Sequence, residues 1–358
     1  MPDSLVIALT GGGTAGHVSP HLALMPSLIG RGHRVFYIGS VGIERDMMKN
    51  AGVEFHEIMS GKLRRYFSVQ NFFDLFKVIC GTFQAFGVLR RQKPNVVFSK
   101  GGFVSVPVAL AAWVMRIPVV THESDMTPGL ATKIIERFAK RILYTFPETG
   151  RHFRPAIAEH VGTPVRSELF SGSRESGFRL CGFAEKELLP VILVAGGSQG
   201  AQRINETLKI VLPELLERYR IVHLTGKGKG IGFAHPRYKA FEFVTGELAD
   251  ILAITDVVIA RAGANSIFEF LSLKKPMLLI PLEVGSRGDQ VHNAEAFQRQ
   301  GWARILRESE VSSVRFLAAV EELLAGKDDI LQRQANFNGR QATERVVMAL
   351  ESCASHGR

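Results

Sequence analysis

The chain has 358 residues, 46% of them hydrophobic and 22% charged, and its 44 Lys and Arg against 34 Asp and Glu give a formal net charge of +10. That balance excludes a disordered or fibrous chain, and the length exceeds what one hydrophobic core usually serves, so two domains of ordinary size are expected. The positive charge favours an anionic partner, whether nucleic acid, acidic lipid or a phosphorylated substrate, without choosing among them.

The first element is a short apolar run at residues 5–9, rich in β-branched side chains, which reads as a buried parallel strand. No basic leader or cleavage-site pattern accompanies it, so no secretory signal is expected and a cytoplasmic location is. The turn Gly11-Gly12-Gly13-Thr14-Ala15-Gly16 follows and opens a helix. Glycine lets the backbone approach a bound phosphate closely, and the first N–H groups of a helix have no partner within it, so an anion finds donors and a favourable dipole together. Further strands are expected at 35–38, 96–99, 119–122 and 141–144, with helices in the longer intervals. The segment from Phe67 to Phe86 is crowded with apolar side chains, including Phe72, Phe73, Phe76 and Ile79, and is bracketed by Lys62, Arg64, Arg65 and by Arg90, Arg91, Lys93. Such a pattern suits shallow insertion into an anionic membrane surface, although a buried helix would also be rich in phenylalanine. The stretch 106–120 is interrupted by Pro107, Arg116 and Pro118 and falls short of the ~20 apolar residues needed to cross a bilayer.

The turn Gly162-Thr163-Pro164-Val165-Arg166 and the polar residues 171–177 set the expected boundary, with a hinge near 162–168. The domains are then 1–163 and 164–358, the final helix being able to pack back on the first. The second half restarts at 191–195 and runs directly into Gly196-Gly197-Ser198-Gln199-Gly200, a second strand, glycine turn and helix. Its later strands are expected at 221–224, 241–244, 257–260 and 276–280. Strand and helix alternate throughout, so the fold class is α/β, two Rossmann-like parallel-sheet domains facing a cleft. Cys80, Cys181 and Cys353 are odd in number and far apart, without zinc or redox spacing, which suggests inert thiols in a reducing compartment.

Gly11, Gly13 and Gly16 satisfy G-x-G-x-x-G, which first raises a dinucleotide-dependent oxidoreductase. A nicotinamide site wants an acidic residue ending the second strand, whereas that strand ends Tyr37-Ile38-Gly39-Ser40, with Glu44 the nearest carboxylate beyond another glycine. Taken together, Gly12 to His17, Gly101-Gly102-Phe103-Val104-Ser105, His122-Glu123-Ser124-Asp125, Gly196 to Ala201, Arg261-Ala262-Gly263-Ala264 and Asp289-Gln290 with Asn293-Ala294 resemble the MurG family of GT-B fold glycosyltransferases, in the right order over nearly the whole chain. The resemblance implies an inverting enzyme of peptidoglycan synthesis, peripheral at the cytoplasmic face of the plasma membrane. It moves N-acetylglucosamine from UDP-N-acetylglucosamine to the C4 hydroxyl of muramoyl-pentapeptide on undecaprenyl diphosphate, giving lipid II. Two departures stand out: Ala15 replaces a usual glycine, and Asp125 replaces the amide of the family's His-Glu-Gln-Asn.

The resemblance assigns donor binding to Thr14, Ala15, Gly16, Asp125, Arg166, Ser198, Thr245, Ala264, Asn265, Ser266, Glu269 and Gln290. Ser198 can offer a hydroxyl and nearby amides to the diphosphate, whose charge grows as the glycosidic bond breaks. Arg166 can neutralise that diphosphate or latch the domains. Ser266 and Glu269 also match a helix capping box, against which stands a carboxylate that accepts from both ribose hydroxyls. By the same resemblance Thr245 meets uracil through its backbone, and Gln290 both donates to and accepts from sugar hydroxyls. His17 is the candidate general base, its ordinary pKa lying near working pH; binding the acceptor diphosphate is its alternative. His122 and Glu123, at a strand end, are a second candidate pair. No Asp-x-Asp is present to hold a metal, so no metal or cofactor is expected, and the basic charge comes with no nucleic-acid-binding motif. Two other readings stay open: a related transferase acting on another lipid such as diacylglycerol, and a UDP-sugar-binding regulator without turnover.

Overall fold

The structure, a computed structural model, describes residues 4–13, 15–61, 69–197, 201–244, 246–284 and 288–355, without the side chains of Ala15 and of residues 69–73. Two compact units emerge, Met1–Arg166 with Gly339–Arg358, and Ser167–Asn338.

Unit 1 alternates strand and helix: β1 (Val6–Thr10), α1 (Ala15–Gly30), β2 (Arg34–Gly39), α2 (Ile43–Asn50), β3 (Glu54–Glu57), α3 (Val69–Gln92), β4 (Val96–Ser99), α4 (Ser105–Val114), β5 (Val119–Glu123), α5 (Leu130–Ile135), β6 (Arg141–Tyr144) and β7 (Ala158–His160). The seven strands form one parallel sheet in the order β3-β2-β1-β4-β5-β6-β7. Its central strands are apolar on both faces because both faces are covered. Thus Ile7 and Leu9 of β1 pack with Leu24 and Leu28, whereas Ala8 between them packs with Leu89 and Val108.

Unit 2 contains α6 (Arg174–Cys181), β8 (Val191–Ala195), α7 (Gln202–Arg218), β9 (Arg220–Leu224), β10 (Tyr238–Phe241), α8 (Leu248–Ile254), β11 (Val257–Ala260), α9 (Ala264–Ser272), β12 (Met277–Leu279), α10 (Asp289–Arg299), β13 (Ala303–Ile305), α11 (Ser313–Ala325) and α12 (Lys327–Gln334). Its parallel sheet runs β10-β9-β8-β11-β12-β13. That is the order of a dinucleotide-binding fold, and the first six strands of unit 1 repeat it. The last helix, α13 (Arg340–Ser355), belongs to unit 1: Val346, Val347 and Leu350 enter the cluster built on α1, and Glu351 accepts from Arg31 at 2.9 Å and pairs with His33 at 3.0 Å.

Several sequence expectations change. The strand expected at 241–244 lies at Tyr238–Phe241, and β3, β7 and β13 were not anticipated. The polar stretch 171–177 is not simply a linker. Ser173 accepts from the Ser176 amide at 3.3 Å and caps α6, and Gly177 allows that helix to lie against α8, where an added Cβ would stand 2.3 Å from the Asp250 carbonyl oxygen. Among the described residues no helix is long and apolar enough to cross a membrane.

Candidate active site

In each sheet the strand order reverses once, between β1 and β4 in unit 1 and between β8 and β11 in unit 2. At such a point the loops leaving adjacent strand ends turn to opposite faces and leave a crevice, the usual ligand site of an open α/β sheet. Both glycine turns of the sequence leave a strand at a reversal.

In unit 1 the turn after β1 is held from below: the Tyr37 hydroxyl donates to the Gly11 carbonyl at 2.7 Å. Across the reversal, Gly102 takes φ +79° and approaches Gly12 so closely that a Cβ on it would lie 2.3 Å from the Gly12 carbonyl oxygen. Only glycine fits there, for conformation and for space. Glu44 is buried beside this turn and accepts from the Ser40 hydroxyl at 2.7 Å. His17, half-buried, sits in the first turn of α1, one turn ahead of His21. The buried His21 ring bonds the Thr10 carbonyl through Nε2 at 3.1 Å, and burial, with Lys100 nearby, takes its pKa to about 3. It is therefore neutral and unsuited to accept a proton at working pH, whereas His17 is the more accessible imidazole.

The β5 end carries the other predicted cluster. His122 Nε2 bonds the Gly162 carbonyl at 2.7 Å, and its Nδ1 lies 2.5 Å from the Lys100 ammonium, which also reaches the Ser124 hydroxyl at 2.5 Å. Burial, reinforced by Lys100, pushes the His122 pKa well below the usual histidine value. Glu123 accepts from the Asp125 and Gly129 amides at 3.1 and 3.0 Å and from the Thr132 hydroxyl at 2.7 Å, so its carboxylate braces the loop after β5. His122 and Glu123 thus serve this loop as separate anchors. Asp125 is half-buried in the same loop, and Arg166 is half-buried at the end of the unit's first segment.

In unit 2 the crevice is formed by the ends of β8 and β11. α9 starts at Ala264 after Gly263, whose extended backbone supplies no side-chain cap, and α7 starts after the equally uncapped Ala201. Neither helix is capped by the side chain of its N-cap residue, and the start of a helix is where an anion meets backbone donors and a favourable dipole. Ser266 lies within the first turn of α9, so the capping-box reading is corrected: the cap position is Gly263. Ala264 and Glu269 are buried, Asn265 half-buried and Ser266 exposed on this one helix. The loop is braced by Arg261, which donates to the Ile280 carbonyl at 3.1 Å and to Glu308, and by Asn293, whose amide donates to the Ala262 carbonyl at 3.2 Å. Gln290 Oε1 accepts from the Leu282 amide at 3.0 Å, which leaves its amide nitrogen to donate elsewhere.

Of the expected site residues, Gly16, His17, Asp125 and Arg166 lie in unit 1, and Ala264, Asn265, Ser266, Glu269 and Gln290 in unit 2, the first four of these on the single helix α9. Thr14, Ser198 and Thr245 lie outside the described residues, as do the side chains of Ala15, Phe72 and Phe73. Sequence reasoning missed Lys100. The available signal was a lysine set directly between a buried strand, Val96–Ser99, and a glycine pair.

The sequence matches the glycosyltransferase family 28 N-terminal domain over residues 7–144 and the family 28 C-terminal domain over residues 191–348. It is 49% identical over 345 residues to UDP-N-acetylglucosamine--N-acetylmuramyl-(pentapeptide) pyrophosphoryl-undecaprenol N-acetylglucosamine transferase 2 of Bacillus cereus, covering 95% of this chain and 97% of that one. The like-named transferase of Staphylococcus carnosus is 49% identical over 337 residues, covering 93% and 92%. MurG of Acinetobacter baumannii shares the fold with a TM-score of 0.73 over 97% of this chain and 99% of that chain, at 23% identity. With two reversal-point crevices, each opened by a glycine turn, and near-full-length identity of this order, the chain belongs to glycosyltransferase family 28, and within it to the MurG family.

Proposed function

We propose that this protein transfers N-acetylglucosamine from UDP-N-acetylglucosamine to the C4 hydroxyl of muramoyl-pentapeptide carried on undecaprenyl diphosphate, the step that makes lipid II. The observation that carries the reading is the 49% identity to transferases of that name over 95% of the chain. The paired crevices supply chemistry in keeping with it.

The donor belongs to unit 2. The amides at the starts of α7 and α9 suit the diphosphate, whose negative charge rises as the bond to the sugar breaks. Ser198 adds a hydroxyl to the first of these, and Thr245 meets the base through its backbone. Glu269, on the helix whose first residues Ala264, Asn265 and Ser266 surround the nucleotide, accepts from the ribose hydroxyls. Gln290 donates to the sugar through the amide nitrogen that Leu282 leaves free of its own bond. The family resemblance gives Arg166 the role of neutralising a diphosphate and gives Thr14, Ala15, Gly16 and Asp125 roles in donor binding. His17 takes the proton of the incoming hydroxyl as that oxygen attacks the anomeric carbon and UDP departs from the opposite side, so the α-linked donor gives a β-linked product in one displacement.

The acceptor's lipid tail requires a membrane-facing surface, and α3 offers one. Phe76, Ile79 and Phe83 are 64%, 47% and 75% exposed along a single stripe, and Arg90 and Arg91 follow in the last turn. Such a stripe with cations nearby suits shallow contact with anionic headgroups.

The test is direct. Purified protein with radiolabelled UDP-N-acetylglucosamine should release UDP and label a polyprenyl-diphosphate muramoyl-pentapeptide, and should leave diacylglycerol unlabelled. Labelling of diacylglycerol alone, or nucleotide binding without UDP release when acceptor is present, overturns the reading.

A further inference from the structure

The donor contacts assigned to unit 2 are amides, hydroxyls and the Glu269 carboxylate, and none of them carries positive charge. One loop of the same unit does. It leaves β9 as Thr225-Gly226-Lys227-Gly228-Lys229-Gly230, with Lys227 and Lys229 exposed. The sheet order β10-β9-β8-β11 sets this loop between the two ends of the nucleotide. The base goes to Thr245, which follows β10 in the chain, and the diphosphate to the starts of α7 and α9, which follow β8 and β11. All four strands are parallel, so the loops that follow them leave the same edge of the sheet. At the ~4.8 Å spacing of paired strands, β10 and β8 stand about 10 Å apart, and a nucleoside that runs from one to the other passes over the end of β9. The loop is also tied to both sides. Asn205, 3% exposed in the first turn of α7, donates to the Thr225 carbonyl at 2.9 Å and to the Lys229 carbonyl at 3.3 Å. Toward β10, the Thr225 amide donates to the Phe241 carbonyl at 2.9 Å, and Glu242 accepts from the Gly228 amide at 3.0 Å. Gly226 and Gly228 take φ of +86° and +69°, so Lys227 rides on a tight turn with no side chain on either flank.

We propose that the loop after β9 is a further wall of the donor site, and that Lys227 pairs with the α-phosphate of the nucleotide, the one next to the ribose. A lysine ammonium is a compact charge on a flexible stem and meets phosphate oxygens without a fixed geometry. The bond that breaks in transfer is to the β-phosphate, so the charge on the α-phosphate changes little between the bound donor and the transition state. Lys227 therefore holds substrate, transition state and departing UDP alike, and its effect falls on affinity more than on the chemical step. The inference rests on the transferase reading above.

The experiment measures Kd for uridine, UMP and UDP by calorimetry on the full chain, as wild type, Lys227→Gln and Lys227→Arg. Lys227→Gln should weaken UMP and UDP alike, by about fivefold or more at low salt, and should leave uridine within about twofold, which also shows that the site is folded. The difference should narrow as salt is raised, because a charge pair open to solvent is screened. Lys227→Arg, which keeps the charge, should stay within about threefold of the wild type. In turnover, Lys227→Gln should raise KM for UDP-N-acetylglucosamine by a larger factor than it lowers kcat. UDP affinity unchanged in Lys227→Gln, uridine affinity lost in step with UDP, a loss seen with UDP and not with UMP, or Lys227→Arg as weak as Lys227→Gln each overturns the proposal. A wild type that binds these nucleotides and transfers nothing defeats the transferase reading instead, and the same three ligands still decide whether Lys227 meets the α-phosphate. A wild type that binds none of them overturns both.

Discussion

At the level of single residues, the two crevices separate groups that chemistry could use from groups that merely hold the backbone. His21 and His122 are fully buried and forced neutral, and each is bonded to a carbonyl. His17 is the imidazole in the first turn of α1 that stays partly accessible. His17→Ala should therefore lower kcat by about 10²-fold or more with little change in the Kd of UDP-N-acetylglucosamine, measured by steady-state kinetics and calorimetry. An unchanged rate removes it as the base. The alternative of Ser266 as a helix cap illustrates what residue spacing conceals: the spacing to Glu269 is right, yet α9 begins at Ala264, two residues before that serine. Glu123 is the reverse case, since a carboxylate at a strand end reads as catalytic in the sequence and proves to be spent on two amides and a hydroxyl.

Among secondary elements, legibility followed burial. β1, β4, β5, β8 and β11 lie in sheet interiors and each opens on a run of two or more apolar residues, all four residues of β4 and of β11 and all five of β5 being buried, so their positions were readable to within a residue. β3, β7 and β13 are edge strands of three or four residues with half-exposed sequences, Glu-Phe-His-Glu, Ala-Glu-His and Ala-Arg-Ile, and carry no such run. β10, also an edge, was misplaced because the apolar residues just after it look more strand-like than its own Tyr-Lys-Ala-Phe. An edge strand is specified by the neighbour it pairs with more than by its own hydrophobicity. The helix α3 shows the same logic on its faces. Val78, Ala85 and Leu89 are buried, and Gly81 meets the Met59 carbonyl so closely that a Cβ would stand 2.0 Å from it, whereas Phe76 and Phe83 point to solvent. Phe76→Asp with Phe83→Asp should weaken co-sedimentation with anionic phospholipid vesicles by on the order of tenfold or more, given ~2 kcal/mol for each buried phenylalanine, and should leave thermal stability nearly unchanged. Equal binding by the double variant removes this face from membrane contact.

At the scale of the whole molecule, each unit has its own core and its own buried histidines. In unit 2 the His223 ring lies between the Tyr238 hydroxyl at 2.9 Å and the Asn205 side-chain oxygen at 3.1 Å. Asn205 is oriented by its own donation to the Thr225 carbonyl at 2.9 Å, and burial lowers His223 from 6.5 to about 4. Between those values the unfolded chain binds a proton that the folded unit does not, so the contribution of His223 is complete above pH 6.5 and is lost as pH falls toward 4. Its full size is on the order of 3 kcal/mol. The two tryptophans report the units separately, Trp113 in unit 1 and Trp302 in unit 2. In Trp113→Phe, denaturant unfolding followed by Trp302 fluorescence should show stability falling with acidity over this window, and adding His223→Asn should flatten that slope. An identical slope in the two proteins rules out His223 as the acid-sensitive group.

By itself the sequence determined the α/β class, the interior strands, the two glycine turns that open helices and the family, because buried apolar runs and glycine-bounded turns are local patterns with local physical causes. Only the tertiary structure decided that both turns stand at strand reversals, that the edge strands exist, and that α13 completes the core of unit 1. It also decided that Lys100, His122 and Ser124 share one buried contact. Those outcomes depend on partners distant in the chain, and the protonation of a lysine depends on the water and charges that the fold leaves around it, which no spacing along the sequence records.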